Sequence, residues 1–147
     1  MLQEDKMKAT GKLTIEIKDK NGNLKDQIDL TNLVVDDGLE FIASRMKDAS
    51  SSVMSHMAIG TGSSAAAASD TTLGTEAARV ALTSTTVTAN AVAYVASFAA
   101  GTGTGAITEA GILNAASGGT LLCRTVFSVV NKGASDSMTI TWTVTIS

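Results

Sequence analysis

The side chains able to do chemistry are few and scattered along the chain. There is one histidine, His56, and one cysteine, Cys123. His56 lies in VMSHMAIGTG with no second histidine and no cysteine beside it, so the ligand set of a zinc-type site is missing. It reads as a strand residue near a turn. Cys123 lies in TLLCRTVF and shares an alternating face with Leu121, Thr125 and Phe127. No His, Asn or Asp arrangement marks it as a nucleophile, and it reads as a buried, inert thiol. Asp36, Asp37 and Glu40 could together hold a cation, but Arg45 and Lys47 follow at the other end of the same helical stretch. Acidic residues in a first turn and basic ones in a last turn complement the helix dipole, so the pattern has a structural explanation. The glycine-rich AAGTGTG, residues 99–105, invites a phosphate cradle. Such cradles need a helix to follow, whereas AITEAGIL has strand character, and the segment reads as a hairpin tip. Glu76, Arg79, Glu109 and Arg124 stand out in an otherwise nearly neutral stretch, either as ion pairs and caps that fix loops or as a subunit contact. The sequence assigns no catalytic, cofactor-binding or metal-ligating residue. The chain reads as a non-enzyme without a cofactor.

The elements that must carry these side chains are strands. In SDSMTITWTVTIS, residues 135–147, Met138, Ile140, Trp142, Val144 and Ile146 fall on alternate positions, with Thr139, Thr141, Thr143 and Thr145 between them. A period of two predicts a half-buried strand, and a helix would scatter those five residues around its circumference. Trp142 is the only tryptophan, and aromatic residues make up 3% of the chain. This face is therefore expected at the centre of the core.

Residues 1 to 11 read as a polar lead-in. In KLTIEIKDKNGNLKDQIDL, Leu13, Ile15 and Ile17 alternate with polar residues, Asn21-Gly22 marks a type I′ turn, and Ile28 and Leu30 follow, predicting a hairpin. The charges Lys12, Glu16, Lys18, Asp19, Lys20, Lys25, Asp26 and Asp29 concentrate here. That contrast predicts an arm, residues 1–31, distinct from a main domain spanning 32–147. Its apolar side chains Leu13, Ile15, Ile17, Ile28 and Leu30 are the candidate partner-binding residues, because a two-stranded hairpin needs something to cover it. An ordinary edge hairpin is the alternative. Residues 34–48 switch to helical spacing, with Val35, Leu39, Ile42 and Met46 on one stripe and Gly38 as a point of close packing. Short strands then recur at turn spacings of eight to twelve residues without βαβ alternation. The expected fold is mainly β, an antiparallel sandwich of jelly-roll or Greek-key type with one helix and an N-terminal hairpin arm.

A chain of 147 residues fits one domain, and a domain of that size buries roughly two thirds of its unfolded surface without staples. A lone cysteine rules out an intrachain disulfide and fits a reducing compartment. The net charge of −3 argues against a nucleic-acid surface. With no secretory-type apolar stretch at the N-terminus and no run of bilayer-spanning length, the sequence reads as soluble, with no membrane partner. There is no proline, and Ala, Ser, Thr and Gly dominate from Ser50 onward, which suits close approach of sheets and subunits.

Three segments, taken in order, resemble a family of tailed-bacteriophage virion proteins: NLVVDDGLEFIASRM, then MAIGTGSSAAAASDTTLGTEAARV, then EAGILNAASGGTLLCRTVFSVVNKGASDSMTITWTVTIS. The resemblance covers roughly residues 32 to 147. It implies a β-sandwich structural protein of a phage particle, made in the host cytoplasm and located in the virion. The absence of repeats and of an added receptor-binding domain favours a capsid cement (decoration) protein on the outer capsid surface. In that role a homotrimer would clamp the major capsid protein at local three-fold positions. A small tail, baseplate or fibre protein contacting the host surface is the alternative.

Overall fold

The computed structural model describes residues 7–47 and 51–147. The first part of the expected lead-in, residues 1–6, the last expected helical position, 48, and residues 49–50 of the Ser-rich turn lie outside the described residues. Among the described residues, ten strands form two antiparallel five-stranded sheets, with one helix between the third and fourth strands. Strands β1 (Ala9–Lys18), β2 (Leu24–Thr31), β6 (Ser84–Thr88), β7 (Ala91–Phe98) and β10 (Ser137–Ile146) make the first sheet, in the order β2-β1-β10-β7-β6. Strands β3 (Leu33–Val34), β4 (His56–Gly60), β5 (Glu76–Ala81), β8 (Gly105–Leu113) and β9 (Leu121–Lys132) make the second, in the order β3-β9-β8-β4-β5. The expected antiparallel sandwich is the observed architecture. Helix α1, Asp36–Arg45, packs against β9.

The alternation at the C-terminus does what its period dictates. β10 lies at the middle of the first sheet, and Met138, Ile140 and Trp142 on its inner face are fully buried. Trp142 is 0% exposed, with Leu13 of β1 and Tyr94 of β7 directly opposite it on the two neighbouring strands. Facing them across the sandwich are Met57 and Ile59 of β4, Ile107 and Ile112 of β8, and Phe127 of β9, all in one continuous core.

The N-terminal hairpin is part of this sheet. β1 pairs with β10 from Ala9↔Ile146 to Lys18↔Ser137, so the lead-in expected to end at residue 11 is already strand from Ala9 onward. Leu13, Ile15 and Ile17 are buried in the chain's own core, where Ile28 and Leu30 of β2 pack half-buried against them. The separation at residue 31 into an arm and a domain is therefore not what the strands do, because the hairpin supplies two of the five strands of its sheet. The charge concentration that suggested an arm reflects the outer face of β1 and the edge position of β2, both of which meet solvent. The turn also differs from the type I′ expectation. Gly22 has φ +83° but Asn21 does not enter the left-handed region, and the Asp19 carboxylate accepts the N–H groups of Asn21 and Asn23 at 2.9 and 3.0 Å. That side chain closes a wider turn than two residues would make.

The helix runs from Asp36 to Arg45, shorter than 34–48, and keeps only Val35 and Ile42 of the expected stripe against the protein. Phe41 and Ile42 pack on the core, whereas Leu39 is 48% and Met46 81% exposed. The cause is Gly38, whose hydrogen faces β9 so closely that a Cβ there would overlap the carbonyl oxygen of Leu122. A helix pressed to the sheet along Val35, Gly38 and Ile42 turns Leu39 and Met46 outward. AAGTGTG is likewise not a hairpin tip, since β7 and β8 belong to different sheets and the segment carries the chain across the sandwich, with Gly101 and Gly103 at positive φ.

Gly38→Ala sets helix propensity, which favours alanine by about 1 kcal/mol, against a clash with fixed backbone. The clash wins: the variant should lose about 1–3 kcal/mol, read as a lower urea midpoint with an unchanged slope. A higher midpoint would show that the helix is not held this close.

Candidate functional site

Outside the N-terminal hairpin, charge is sparse in the sandwich, and several of the charges there are buried: Glu109, Arg124, Lys132 and Asp136. Glu109 of β8 and Arg124 of β9 lie near each other on the outer face of the second sheet, beneath the long connection between β4 and β5, residues 61–75. A small second core, made of Val35, Ala58, Leu73, Leu113 and Leu121, lies on the same side. Glu109 is 0% exposed. A buried carboxylate is tolerated only when donors surround it. Its Oε2 accepts the backbone N–H groups of Gly62 at 2.6 Å and Thr75 at 2.7 Å. Its Oε1 accepts Gly74 N–H at 2.7 Å and two bonds from Arg124, Nε at 3.1 Å and Nη2 at 3.0 Å. Four of the five guanidinium N–H donors are engaged: besides the two on Glu109, Nη1 donates to Asp70 Oδ2 at 2.8 Å and Nη2 also to the Ser64 carbonyl at 3.1 Å. Asp70 in turn accepts Ala67 N–H at 2.9 Å. Both ends of the connection are thus held by Glu109 and its middle by Arg124. Gly62 is required by contact, since a Cβ at that position would overlap the Glu109 carboxylate.

These environments set the ionisation. Burial alone would push the Glu109 carboxyl upward, but the N–H groups of Thr75, Gly74 and Gly62 and the Arg124 guanidinium outweigh it and hold the pKa below the ordinary glutamate value. Asp70 shows the same balance: burial raises it, and Ala67 N–H with Arg124 brings it down. Tyr94 is pushed up to about 12 by burial, and burial also drives the Cys123 thiol up, so it stays protonated and inert. Cys123 faces the main core with Phe127, but Leu121 does not join it. A bulge between Ile112 and Leu113 shifts the register so that Leu121 turns to the small outer core.

Two further clusters fasten other turns. Arg79 donates to Glu76 at 2.7 and 3.1 Å and reaches the carbonyls of Ala115 and Gly118 in the β8–β9 turn, both at 2.9 Å. Lys132, 1% exposed, donates to the carbonyls of Ala99 and Asp136, while Asp136 accepts from Lys25 and Gly133 N–H. Burial lowers the Lys132 pKa, with Asp136 partly opposing it, and Lys25 together with Gly133 N–H lowers that of Asp136. Sequence reasoning singled out Glu76, Arg79, Glu109 and Arg124 but passed over Asp70, Lys132 and Asp136. The available signal was that Asp70 and Asp136 are charges placed within small-residue turns and Lys132 ends the strand that leads into one.

The residues put forward for partner binding lie at the other sheet. Leu13, Ile15 and Ile17 face inward and offer nothing to a neighbour, and Ile28 and Leu30 reach the surface only at their edges. The outer side of β1, β2 and β10 forms a shallow groove of about 670 Å³, lined by Lys12, Leu13, Thr14, Asp29, Leu30, Thr31, Thr141 and Thr143. Thr14 Oγ1 donates to Asp29 Oδ1 at 2.6 Å. This face combines threonine hydroxyls with the charges of Lys12, Glu16, Lys18 and Asp29, and Leu13 and Leu30 contribute apolar area to the groove. His56 Nδ1 pairs with Ser55 Oγ at 2.7 Å, and among the described residues no cluster of three or more His, Cys, Asp or Glu side chains could hold a metal ion. No helix among them is long and apolar enough to cross a membrane. No protein-family model matches the chain, and no curated protein or solved structure matches it.

Glu109→Gln tests the network. An amide NH2 at Oε1 would face Gly74 N–H and Arg124, and at Oε2 it would face the N–H groups of Gly62 and Thr75, so neither orientation is satisfied. The expected loss is about 3–5 kcal/mol near pH 7. Because the folded pKa is depressed, this contribution is complete above the unfolded value of about 4.3 and disappears as pH falls through the folded value. Wild type and variant should therefore converge in acid, read by denaturation at stepped pH. A difference that persists unchanged in acid would refute the role of the charge.

Proposed function

We propose that the protein is a structural subunit of a tailed-phage particle, acting as a cement protein that binds and stabilises the major capsid protein shell. One observation carries this reading. Four of the segments within the family resemblance, AIGTG, DTTLGTE, EAGI and GGTLLCRTVF, are joined by the Glu109 network, while the helix and TITWTVTI lie outside it. AIGTG supplies Gly62; DTTLGTE supplies Asp70, Gly74 and Thr75; EAGI supplies Glu109; GGTLLCRTVF supplies Arg124. Residues distant in sequence and shared by the resemblance meet at one buried point, as expected if the pattern records a common way of building a rigid sandwich. A cement subunit needs that rigidity, because it must hold shell proteins in register rather than adapt to a ligand. The outer face of β1, β2 and β10, which carries hydroxyls, charges and some apolar area, supports contact with a broad protein surface. Assembly as a homotrimer at local three-fold positions, with several interfaces acting at once, would supply the avidity such a clamp requires.

The test is electron microscopy of the virion with a label on this chain. The expected result is density on the outer capsid lattice at local three-fold positions. Density at the tail or baseplate would replace this reading with that of a small tail or fibre component. Absence from purified virions would overturn both.

A further inference from the structure

A sandwich has four edge strands, each a row of unpaired backbone N–H and C=O groups that can template another strand. Here they are β2 and β6 in the first sheet and β3 and β5 in the second. Three are blunted. β2 carries Lys25, Asp26 and Asp29, β5 carries Glu76 and Arg79, and β3 is two residues long. β6 has no such protection. Its sequence STTVT is uncharged and β-branched at four of its five positions, every residue is exposed, and Val87 is 71% exposed. It lies in a stretch with no charged residue between Arg79 and Glu109. β6 is nevertheless fully ordered against β7, from Ser84↔Val95 to Thr88↔Ala91, so its outer edge is held in strand geometry.

We propose that β6 is a self-association edge, pairing antiparallel with β6 of a second copy of this chain about a two-fold axis through Thr86, so that the first sheet continues from one copy into the other. In that register Ser84 meets Thr88, Thr85 meets Val87, and Thr86 meets Thr86. Each is a favourable or neutral cross-strand pair, and none places like charges together. The other edges are less open to a further strand: β2 and β5 carry charged side chains whose solvated heads oppose one, and β3 is too short to template it. The chain's own chemistry therefore selects β6 for β6. Five residues of pairing bury less than the roughly 800 Å² per partner of a standard interface, so association is weak in free solution and strengthened wherever copies are concentrated. The contact joins copies two at a time and does not rest on the virion reading, since it concerns the purified protein alone.

Sedimentation velocity of the full chain at about 100 μM, a concentration that populates a micromolar dimer, reads it directly. Thr86→Lys places two lysines opposite each other at the axis, and the expected result is a species of half the wild-type mass with an unchanged thermal midpoint. Thr86→Glu should do the same, and an equimolar mixture of the two variants should restore the full mass, because lysine then meets glutamate. Ser84→Lys, whose lysine faces Thr88 of the second copy, should weaken association less than Thr86→Lys. If the wild type and Thr86→Lys have the same mass, or the mixture fails to recover the larger species, the pairing is wrong.

Discussion

A carboxylate with no access to water must be met by hydrogen-bond donors, and in this protein that requirement fixes how the outer layer is built. Glu109 points away from the main core, onto a sheet face that would otherwise be open. Three backbone N–H groups and one guanidinium satisfy it, and all three N–H groups come from the two ends of a single connection, residues 61–75. Arg124 turns two further donors to the middle of the same connection. A segment rich in Ala, Ser, Thr and Gly has little apolar area with which to hold itself down. Its conformation is set by polar atoms beneath it, and the small core around Leu73 is closed as a result.

The same economy runs through the rest of the molecule. The main core is made by alternation on β1, β10, β7, β8 and β4, with Trp142 at its centre and little aromatic mass elsewhere. Lys132 and Asp136 tie the β7–β8 crossing to the turn before β10, and Arg79 ties the β8–β9 turn to β5. Charges that a sequence would lead one to place at a surface are used internally to fix the places where the chain leaves a strand. The molecule that results has stiff turns, a flat hydroxyl-bearing face and one edge strand left without protection. Those features suit a part that is held among others of its kind, which is the role proposed for it.

Strand periodicity was legible because it depends only on neighbours: TITWTVTI and KLTIEI could be placed, faced and buried from alternation alone. What could not be read was which sheet each strand joins. AAGTGTG looks like a local hairpin tip, yet it carries the chain between sheets, and nothing within those seven residues encodes that. The apparent arm failed for a related reason. Charges on Glu16 and Lys18 mark an outward face, but an outward face belongs equally to a free arm and to an integral strand, and only the long-range pairing of β1 with β10 decides between them. The helix showed its position but only part of its buried stripe, because Gly38 packs by what it lacks. Glu76, Arg79, Glu109 and Arg124 were recognisable as charges that either fix loops or contact a subunit, but not which of them pair. Asp70 was not, since its role depends on where a fifteen-residue connection folds back.

The central claim is that Glu109 holds the 61–75 connection as firmly as a strand would. Hydrogen exchange at the amides of Gly62, Gly74 and Thr75 tests it most directly. Although these residues lie outside strands, their exchange should be as slow as that of neighbouring β8 amides in the native protein. In Glu109→Gln they should exchange much faster, while amides of β1 and β10 keep their relative protection. Rapid exchange at all three positions in the native protein, at the rate of the exposed β1–β2 turn, would contradict the account.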